Sequence, residues 1–492
     1  MSSISRVDSV SERSRQRFSE RPSYFGYEDN DLLFEAIKSG LPEHYDFEII
    51  KTLKKIRELK LQLNNGEDFT VYLQMPEGLL AFSEVISLIL QHFGESKVII
   101  LGDVTYGGCC IEDQLVSMVE KANSKHANSS LLVHYAHSCL IPFDELLSNG
   151  DSETINVLYI FVEINLSVEH FINTIKTNFD RNDRIALLST IQYHSTIVDS
   201  LEALNEYFYK PVEVPVCNPL AWGETLGCTS PAIQEDTEIC IFISDGRFHL
   251  ESAMIQNPSK KFFLYDPFSK KITREGYNYD LLHDMRKSAI INSYKKMSGN
   301  MKDKIIENHV IVGIFFSTLG RQGSFMIVER LERLIKIYND NRTGGPYIYV
   351  SLIFASDLSL DYINNNIMDG IDYSIQLGCP RLSTDWGTHY KKPLLNSYEG
   401  FILLFNLSKN NISFFSSLEN RIDNNSEYSY RNVYPMNYWA SDGDPWCNYY
   451  LSESRNGSFR ASKEQIDKVK LRNIQKKFRK LAGQRTELKY ED

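Results

Sequence analysis

Three short stretches of this sequence set a cysteine directly behind a glycine: Asp103-Val-Thr-Tyr-Gly-Gly-Cys-Cys-Ile-Glu-Asp113, Glu224-Thr-Leu-Gly-Cys-Thr-Ser-Pro231 and Ile375-Gln-Leu-Gly-Cys-Pro-Arg-Leu-Ser-Thr-Asp-Trp-Gly387. One falls in each third of the chain. A glycine-relieved loop leaves the backbone open and presents a thiol at the carboxyl end of a strand, the edge where α/β proteins bind ligands. Three separated thiolates can hold a 4Fe–4S cluster and leave one iron open to a substrate. Zinc competes as the metal, but structural zinc favours four ligands in paired spacing, and the chain contains no C-x-x-C. It also lacks the C-x₃-C-x-x-C run of conventional radical enzymes. A third reading is that each cysteine is a small buried hydrophobe. Spacing alone leaves all three open.

The elements that would carry these loops alternate in type. Phe69–Met75, Val98–Leu101 and Leu131–His134 read as strands, separated by helices over Gly78–Phe93 and Glu112–Ala127. The rhythm restarts with strands over Val157–Ile164, Arg184–Ser189 and Glu238–Ile243, and helices over Val168–Asn178 and Thr196–Tyr207. A third round has strands over Val310–Phe316, Tyr347–Leu352 and Tyr373–Gln376, with helices over Phe325–Tyr338 and Leu358–Asn364. Such alternation implies right-handed crossovers and parallel sheets. The fold class is therefore α/β, in three units of related design. The boundaries read as a disordered Ser/Arg-rich tail over 1–30 and α/β domains over 31–150, 151–300 and 301–405. An Asn-rich insert over 406–430 and an extension over 431–492 follow. Within Phe47–Leu63, Ile49, Ile50, Leu53, Ile56, Leu59 and Leu63 form a helical stripe. Tyr338–Gly345 and Ile363–Asn366 read as surface loops. Near the end, Ile466, Val469, Ile474, Phe478 and Leu481 mark one face of a basic helix that could dock a partner or stand solvated.

A net charge of −11 argues against a nucleic-acid binder held by a general positive field. Eight cysteines in 492 residues are too sparse for a disulfide scaffold and read as reduced thiols of a cytoplasmic protein. No apolar run approaches the roughly 20 residues of a membrane helix.

Eight blocks occur in an order that resembles the diphthamide synthesis radical enzymes. They are Gln74-Met-Pro-Glu-Gly-Leu79, Gly102-Asp-Val-Thr-Tyr-Gly-Gly-Cys-Cys110, Leu132-Val-His-Tyr-Ala-His-Ser-Cys-Leu-Ile-Pro142, Leu226-Gly-Cys-Thr-Ser-Pro231, Asp245-Gly-Arg-Phe-His-Leu-Glu-Ser252, Thr318-Leu-Gly-Arg-Gln-Gly323, Cys379-Pro-Arg-Leu-Ser-Thr-Asp-Trp-Gly387 and Tyr434-Pro-Met-Asn437. The departures are Gly108 where the family more often has alanine, the insert and the basic tail. The resemblance implies three similar α/β domains around a central 4Fe–4S cluster held by Cys109, Cys228 and Cys379. It implies S-adenosylmethionine as co-substrate and transfer of its 3-amino-3-carboxypropyl group to a histidine of translation elongation factor 2. It further implies a heterodimer with the second subunit of the synthase, and a small metalloprotein as electron donor. No membrane and no direct nucleic-acid contact is expected. A 4Fe–4S dehydratase of the quinolinate synthase type, and a non-catalytic partner subunit, are the competing functions.

Of the other cysteines, Cys110 is expected to point to the opposite side of an extended chain and pack. Cys139 and Cys240 read as core, and Cys217 and Cys447 are unassigned. Candidate groups for gripping the nucleoside or the amino-acid carboxylate are Gln74 and Glu77 after the first strand, Asp245 and Arg247 in one glycine-relieved turn, and Arg321 and Gln322 in another. Arg321 could pair bidentately with a carboxylate. A turn or cap with solvent-exposed charge is the alternative for each. His134 and His137 read as core or supporting histidines.

Overall fold

Runs such as Ile185–Ser189 and Ile239–Ile243 are apolar on both faces, and both strands are buried along their whole length. That pattern suits parallel strands covered by helices on both sides. The computed structural model describes residues 30–63, 68–103, 105–122, 129–140, 155–165, 167–298, 309–342, 345–419 and 430–449. The expected N-terminal tail and the basic helix over 466–481 lie outside them.

Helices α1 (Asp31–Gly40) and α2 (Ile49–Lys60) precede the first sheet. The α2 stripe Ile49, Leu53, Ile56 and Leu59 is buried, each side chain contributing about 1.5–3 kcal/mol. The chain then runs β1 (Thr70–Gln74), α3 (Ser83–Gly94), β2 (Lys97–Ile100), α4 (Asp113–Ala122), β3 (Ser130–Tyr135) and β4 (Asn156–Ile160). All pairings are parallel, in the order β2-β1-β3-β4.

Next come α5 (Val168–Asn178), β5 (Ile185–Ser189), α6 (His194–Tyr207), β6 (Ile239–Ile243), α7 (Phe248–Gln256), β7 (Lys261–Asp266), β8 (Lys271–Glu275) and α8 (Tyr279–Ser298). Strands β5, β6 and β7 are parallel, and β8 closes the far edge antiparallel to β7. On the open side of β5 the chain makes parallel bridges at Glu213 and Glu224.

The third sheet is built from β9 (His309–Ser317), α9 (Phe325–Asn341), β10 (Tyr347–Ala355), α10 (Leu360–Asn366), β11 (Tyr373–Leu377), α11 (Arg381–Trp386) and β12 (Leu394–Leu395). Its order, β10-β9-β11-β12, is again all parallel. Two helices follow, the largely buried α12 (Ser397–Ser408) and α13 (Ile412–Glu419), which buries Phe414, Phe415 and Leu418.

The three sheets share one topology. In the first and third, the second strand lies outside the first and the third returns on its other side. The bridges at Glu213 and Glu224 fill the second-strand place in the middle sheet. Each sheet therefore has a switch point between its first and third strands, and loops at the carboxyl ends there open a crevice.

Several expectations are corrected. The strand expected to open the second round, Val157–Ile164, is Asn156–Ile160 and completes the first sheet beside β3. The expected loop over Ile363–Asn366 is the end of α10, and α9 runs on to Asn341. The part of the Asn-rich insert within the described residues is helical, with Asn406, Phe414 and Phe415 buried. No helix among the described residues is long and apolar enough to cross a membrane.

Candidate metal centre

Cys109 sits in the single short turn Gly108–Cys110, after β2. Three contacts build that turn. Gln74, at the end of β1, donates from Nε2 to the Cys110 carbonyl at 2.7 Å. Its Oε1 accepts from the Glu112 amide at 3.2 Å and lies 2.9 Å from His134 Nδ1. Gly108 lies so close to the Ser138 carbonyl that a Cβ there would approach it to 2.4 Å. The loop after β9 then closes over the turn. Arg321 N–H donates to the Cys109 carbonyl at 2.7 Å and Gly320 N–H to Glu112 Oε1 at 3.1 Å. Gly320 has φ +53°, and a Cβ there would stand 2.5 Å from the Cys110 carbonyl carbon. Only glycine fits both demands.

Cys228 follows the extended segment beside β5. Gly227 packs under the Phe248 ring, which in turn lies 4.5 Å from the Arg381 guanidinium carbon. Cys379 follows β11 by two residues, its carbonyl accepting from Gln376 Nε2 at 2.9 Å. Arg381, at the head of α11, donates to the Phe248 carbonyl at 2.8 Å and pairs with Glu251 and Asp385 at 2.6 and 2.8 Å. The Cys228 and Cys379 loops are thereby tied through one buried arginine.

The three thiols are half-buried, while Cys110, Cys240 and Cys447 are buried. They lie within electrostatic reach of one another. A hydrogen bond to Cys110, burial, and the charges of Cys110, Cys228 and Cys379 push the Cys109 thiol well above its ordinary range. Burial, then Cys379, pushes Cys228 up to about 12, and burial pushes Cys379 up to about 11. Thiols so disposed stay protonated at neutral pH and become thiolates only by binding metal. Among the described residues no three His, Cys, Asp or Glu side chains are arranged to hold one metal ion. A cluster spreads its ligands over separate irons, so its thiols surround a space rather than meet at a point.

Cys110 departs from its expected place. Both Cys109 Sγ and Cys110 Sγ lie 3.6 Å from Gln322 Nε2, because the tight turn sets them on the same side as an extended chain would not. Gln322 is itself anchored by Ser317 Oγ, 3.0 Å from its Oε1.

The candidate ligand-gripping residues separate into two groups. Gln74, Arg321 and Gln322 converge on the Cys109 turn. The Arg321 guanidinium meets Asp113 bidentately, at 3.0 and 2.5 Å. Glu77 is exposed at the head of a short helix. Asp245 is exposed near the Tyr193 hydroxyl. Arg247 pairs with Glu275 and Glu251 and donates to the Gly276 carbonyl at 3.1 Å. The cavities of about 180 and 460 Å³ beside α8 share no residue with either group or with the thiols.

Residues not singled out from the sequence stand beside the loops. Glu224, four positions before Cys228, is fully buried, and burial raises its pKa; Ser138 faces it. His249 lies near His137 and Arg381. The only sequence signal for Glu224 was its place in the Leu-Gly-Cys stretch.

The histidines give a pH prediction. Burial pulls His137 and His249 down to about 4 and His134 well below its ordinary value. Unfolded imidazoles titrate near 6.5. Their contribution is complete above that pH and is lost as pH falls toward 4, because only the unfolded chain takes up the protons. For His137 and His249 about 1–2 kcal/mol each is expected to be gone by about pH 5, and His134 acts in the same direction. Glu112 and Glu224, whose carboxyls are raised, work the opposite way but are fewer. Thermal unfolding of the metal-free chain from about pH 7.5 to about 4.5 measures the net fall; a flat profile would contradict it.

Comparison with known proteins adds a separate line. The sequence model of the diphthamide synthesis protein family matches residues 75–413. The chain is 36% identical over 428 residues to 2-(3-amino-3-carboxypropyl)histidine synthase subunit 1 of Dictyostelium discoideum, covering 85% of this chain and 76% of that one. To subunit 1 of Homo sapiens it is 36% identical over 418 residues, covering 85% and 80%, and to that of Candida albicans 38% over 414, covering 84% and 82%. In structure it is similar to Dph2 from Pyrococcus horikoshii, with TM-score 0.54, 19% identity, and 80% of this chain and 97% of that chain covered. The same protein with a 4Fe–4S cluster gives TM-score 0.53, 19% identity, and 73% and 90% covered.

Proposed function

This chain belongs to the family of diphthamide synthesis proteins, and from that premise we propose that it is the catalytic subunit of a 2-(3-amino-3-carboxypropyl)histidine synthase. It is a transferase that performs the first step of diphthamide formation. The observation that carries the reading is the approach of three half-buried thiols, one from each sheet, on loops at the strands' carboxyl ends. Cys109, Cys228 and Cys379 would hold a 4Fe–4S cluster. When bound, that cluster supplies the electron that cleaves S-adenosylmethionine between sulfur and the methionine γ-carbon, so that the 3-amino-3-carboxypropyl group passes to a histidine of translation elongation factor 2.

The chain's own residues do the positioning. Gln74 and the Gly320–Gln322 loop fix the Cys109 turn from two different sheets. Arg381 ties Cys228 to Cys379. Half-burial of the thiols would limit the access of water to the space they face, which would help protect a reactive carbon-centred species. Gln74, Arg321 and Gln322 stand nearest to that space among the candidate gripping residues, and Glu77, Asp245 and Arg247 would line its approach. The subunit would work in the cytoplasm as a heterodimer with the second subunit and take electrons from a small metalloprotein.

Gln322 gives a specific expectation. An N–H directed at a ligand sulfur withdraws electron density and favours the reduced state. Gln322→Leu should lower the midpoint potential, on the order of tens of millivolts, with iron content unchanged. Redox titration followed by EPR checks it.

The reading is tested by giving the anaerobically loaded protein, its partner subunit and a reductant S-adenosylmethionine together with elongation factor 2. Methylthioadenosine and a factor heavier by one aminocarboxypropyl group are expected. Formation of quinolinate from dehydratase substrates, or of 5′-deoxyadenosine alone, would overturn it.

A further inference from the structure

The loop carrying Cys228 has little of its own to hold it. Leu226 N–H donates to the Thr229 carbonyl at 2.8 Å, and the return bond is 3.4 Å long. The chain between Tyr434 and Asn448 supplies the rest. Thr229 pairs antiparallel with Asn437. Ser230 N–H donates to the Met436 carbonyl at 2.8 Å, Tyr438 N–H reaches the Cys228 carbonyl at 3.4 Å, and Trp439 N–H donates to Thr229 Oγ1 at 3.0 Å. Three successive residues, Cys228 to Ser230, thus take their external backbone and side-chain partners from one distant segment.

That segment is anchored at both flanks. Met436 N–H donates to Gln256 Oε1 at 2.8 Å, on α7 of the middle sheet. Tyr434 OH donates to Glu399 at 2.7 Å, the Trp446 ring lies 4.9 Å from that of Tyr398, and Arg330 of α9 donates to the Cys447 carbonyl at 3.2 Å. Tyr434, Met436, Tyr438, Trp439 and Trp446 are all buried. They lie beyond the 75–413 stretch that the family's sequence model matches, although Tyr434-Pro-Met-Asn437 is one of the blocks in which the sequence resembles the family.

We infer that Tyr434–Asn448 is a positioning strap: it is built from outside the three sheets, and Cys228 reaches the shared site only while the strap is seated. The inference rests on Cys228 being a cluster ligand. The Cys109 carbonyl accepts from Arg321 N–H in the loop after β9, and the Cys379 carbonyl from Gln376 of β11 and Leu382 N–H of α11, none of them in this segment, so the strap acts on one ligand of three. The residues that anchor it are positioning residues, and their loss should loosen the cluster at one corner.

The test uses the full chain, loaded anaerobically with iron and sulfide, beside Arg330→Met, Gln256→Leu and a chain ending at Val433. Iron per chain, the shape of the reduced EPR signal, bleaching by a chelator and unfolding of the metal-free form are measured. Both point variants should unfold as the parent does, yet lose the cluster to chelator about tenfold faster and with an altered EPR shape. In the shortened chain, adding Cys228→Ala should change nothing further. Should that chain fail to fold, the point variants decide. Parental cluster lifetime and EPR shape in both point variants would overturn the strap, as would an added effect of Cys228→Ala in the shortened chain. If the parent takes up no cluster, or Cys228→Ala leaves the parent's cluster unaltered, the ligand reading itself has failed and the strap falls with it.

Discussion

Cys228→Ala is expected to lower product formation on the order of a thousandfold or more while leaving the fold in place. The side chain is half-buried in a loop and contributes little packing, so stability should change by less than about 1 kcal/mol. Its chemical loss is far larger, because a cluster with one corner unheld neither stays assembled nor presents its open iron in a fixed direction. Cys110→Ala is the matched control. Its sulfur lies as close to Gln322 Nε2 as that of Cys109, yet it is fully buried and faces away from solvent. Iron content and methylthioadenosine yield should survive in Cys110→Ala and collapse in Cys228→Ala. Equal loss in both would mean that the adjacent cysteine serves as a ligand.

The second large effect concerns stability. Arg286, on α8, is 1% exposed and meets Glu399 of α12 through Nε and Nη2 at 2.6 and 2.5 Å. Its remaining N–H groups reach the Ser383 and Leu394 carbonyls at 2.7 and 2.8 Å. Tyr434 OH adds a further bond to Glu399. Arg286→Met leaves a buried carboxylate without its cation and should cost about 3–5 kcal/mol. Replacing Glu399 with leucine as well removes the stranded charge, so the double variant should recover part of the loss. Denaturant midpoints of Arg286→Met, Glu399→Leu and the double variant check this. A double variant worse than the sum of its parts would show that packing around Tyr434, and not charge, sets the cost.

Legibility in the sequence followed the range over which each signal acts. The Gly-Cys loops and the strong strands are local patterns, and they appear where the periodicity placed them. β12 is two residues long and the second-strand segment of the middle sheet makes only two bridges, so neither leaves a periodic trace. Asn406 reads as loop by residue type, yet it lies buried in α12 and donates to the Ile402 carbonyl at 2.8 Å. The candidate site shows the same limit. Gln74 and Arg321 have the chemistry of ligand-gripping residues, but the structure engages Gln74 with the turn at Cys110 and Arg321 with Asp113, 208 positions away in sequence. A one-dimensional reading reports what a side chain can bind and not whether the fold has already filled it. Cys110 was misplaced for a related reason: the turn at Gly108–Cys110 is set by contacts with Ser138 and Gly320, which no local pattern encodes.

The central claim is that three sulfurs from three sheets leave a single iron unclaimed. Mössbauer spectroscopy of the protein loaded anaerobically with ⁵⁷Fe, before and after S-adenosylmethionine, measures this directly. One iron of the four should change its isomer shift when the co-substrate is added, while the other three keep theirs. Four irons that all ignore S-adenosylmethionine, or iron loading unchanged when Cys109, Cys228 and Cys379 are replaced together, would contradict the account.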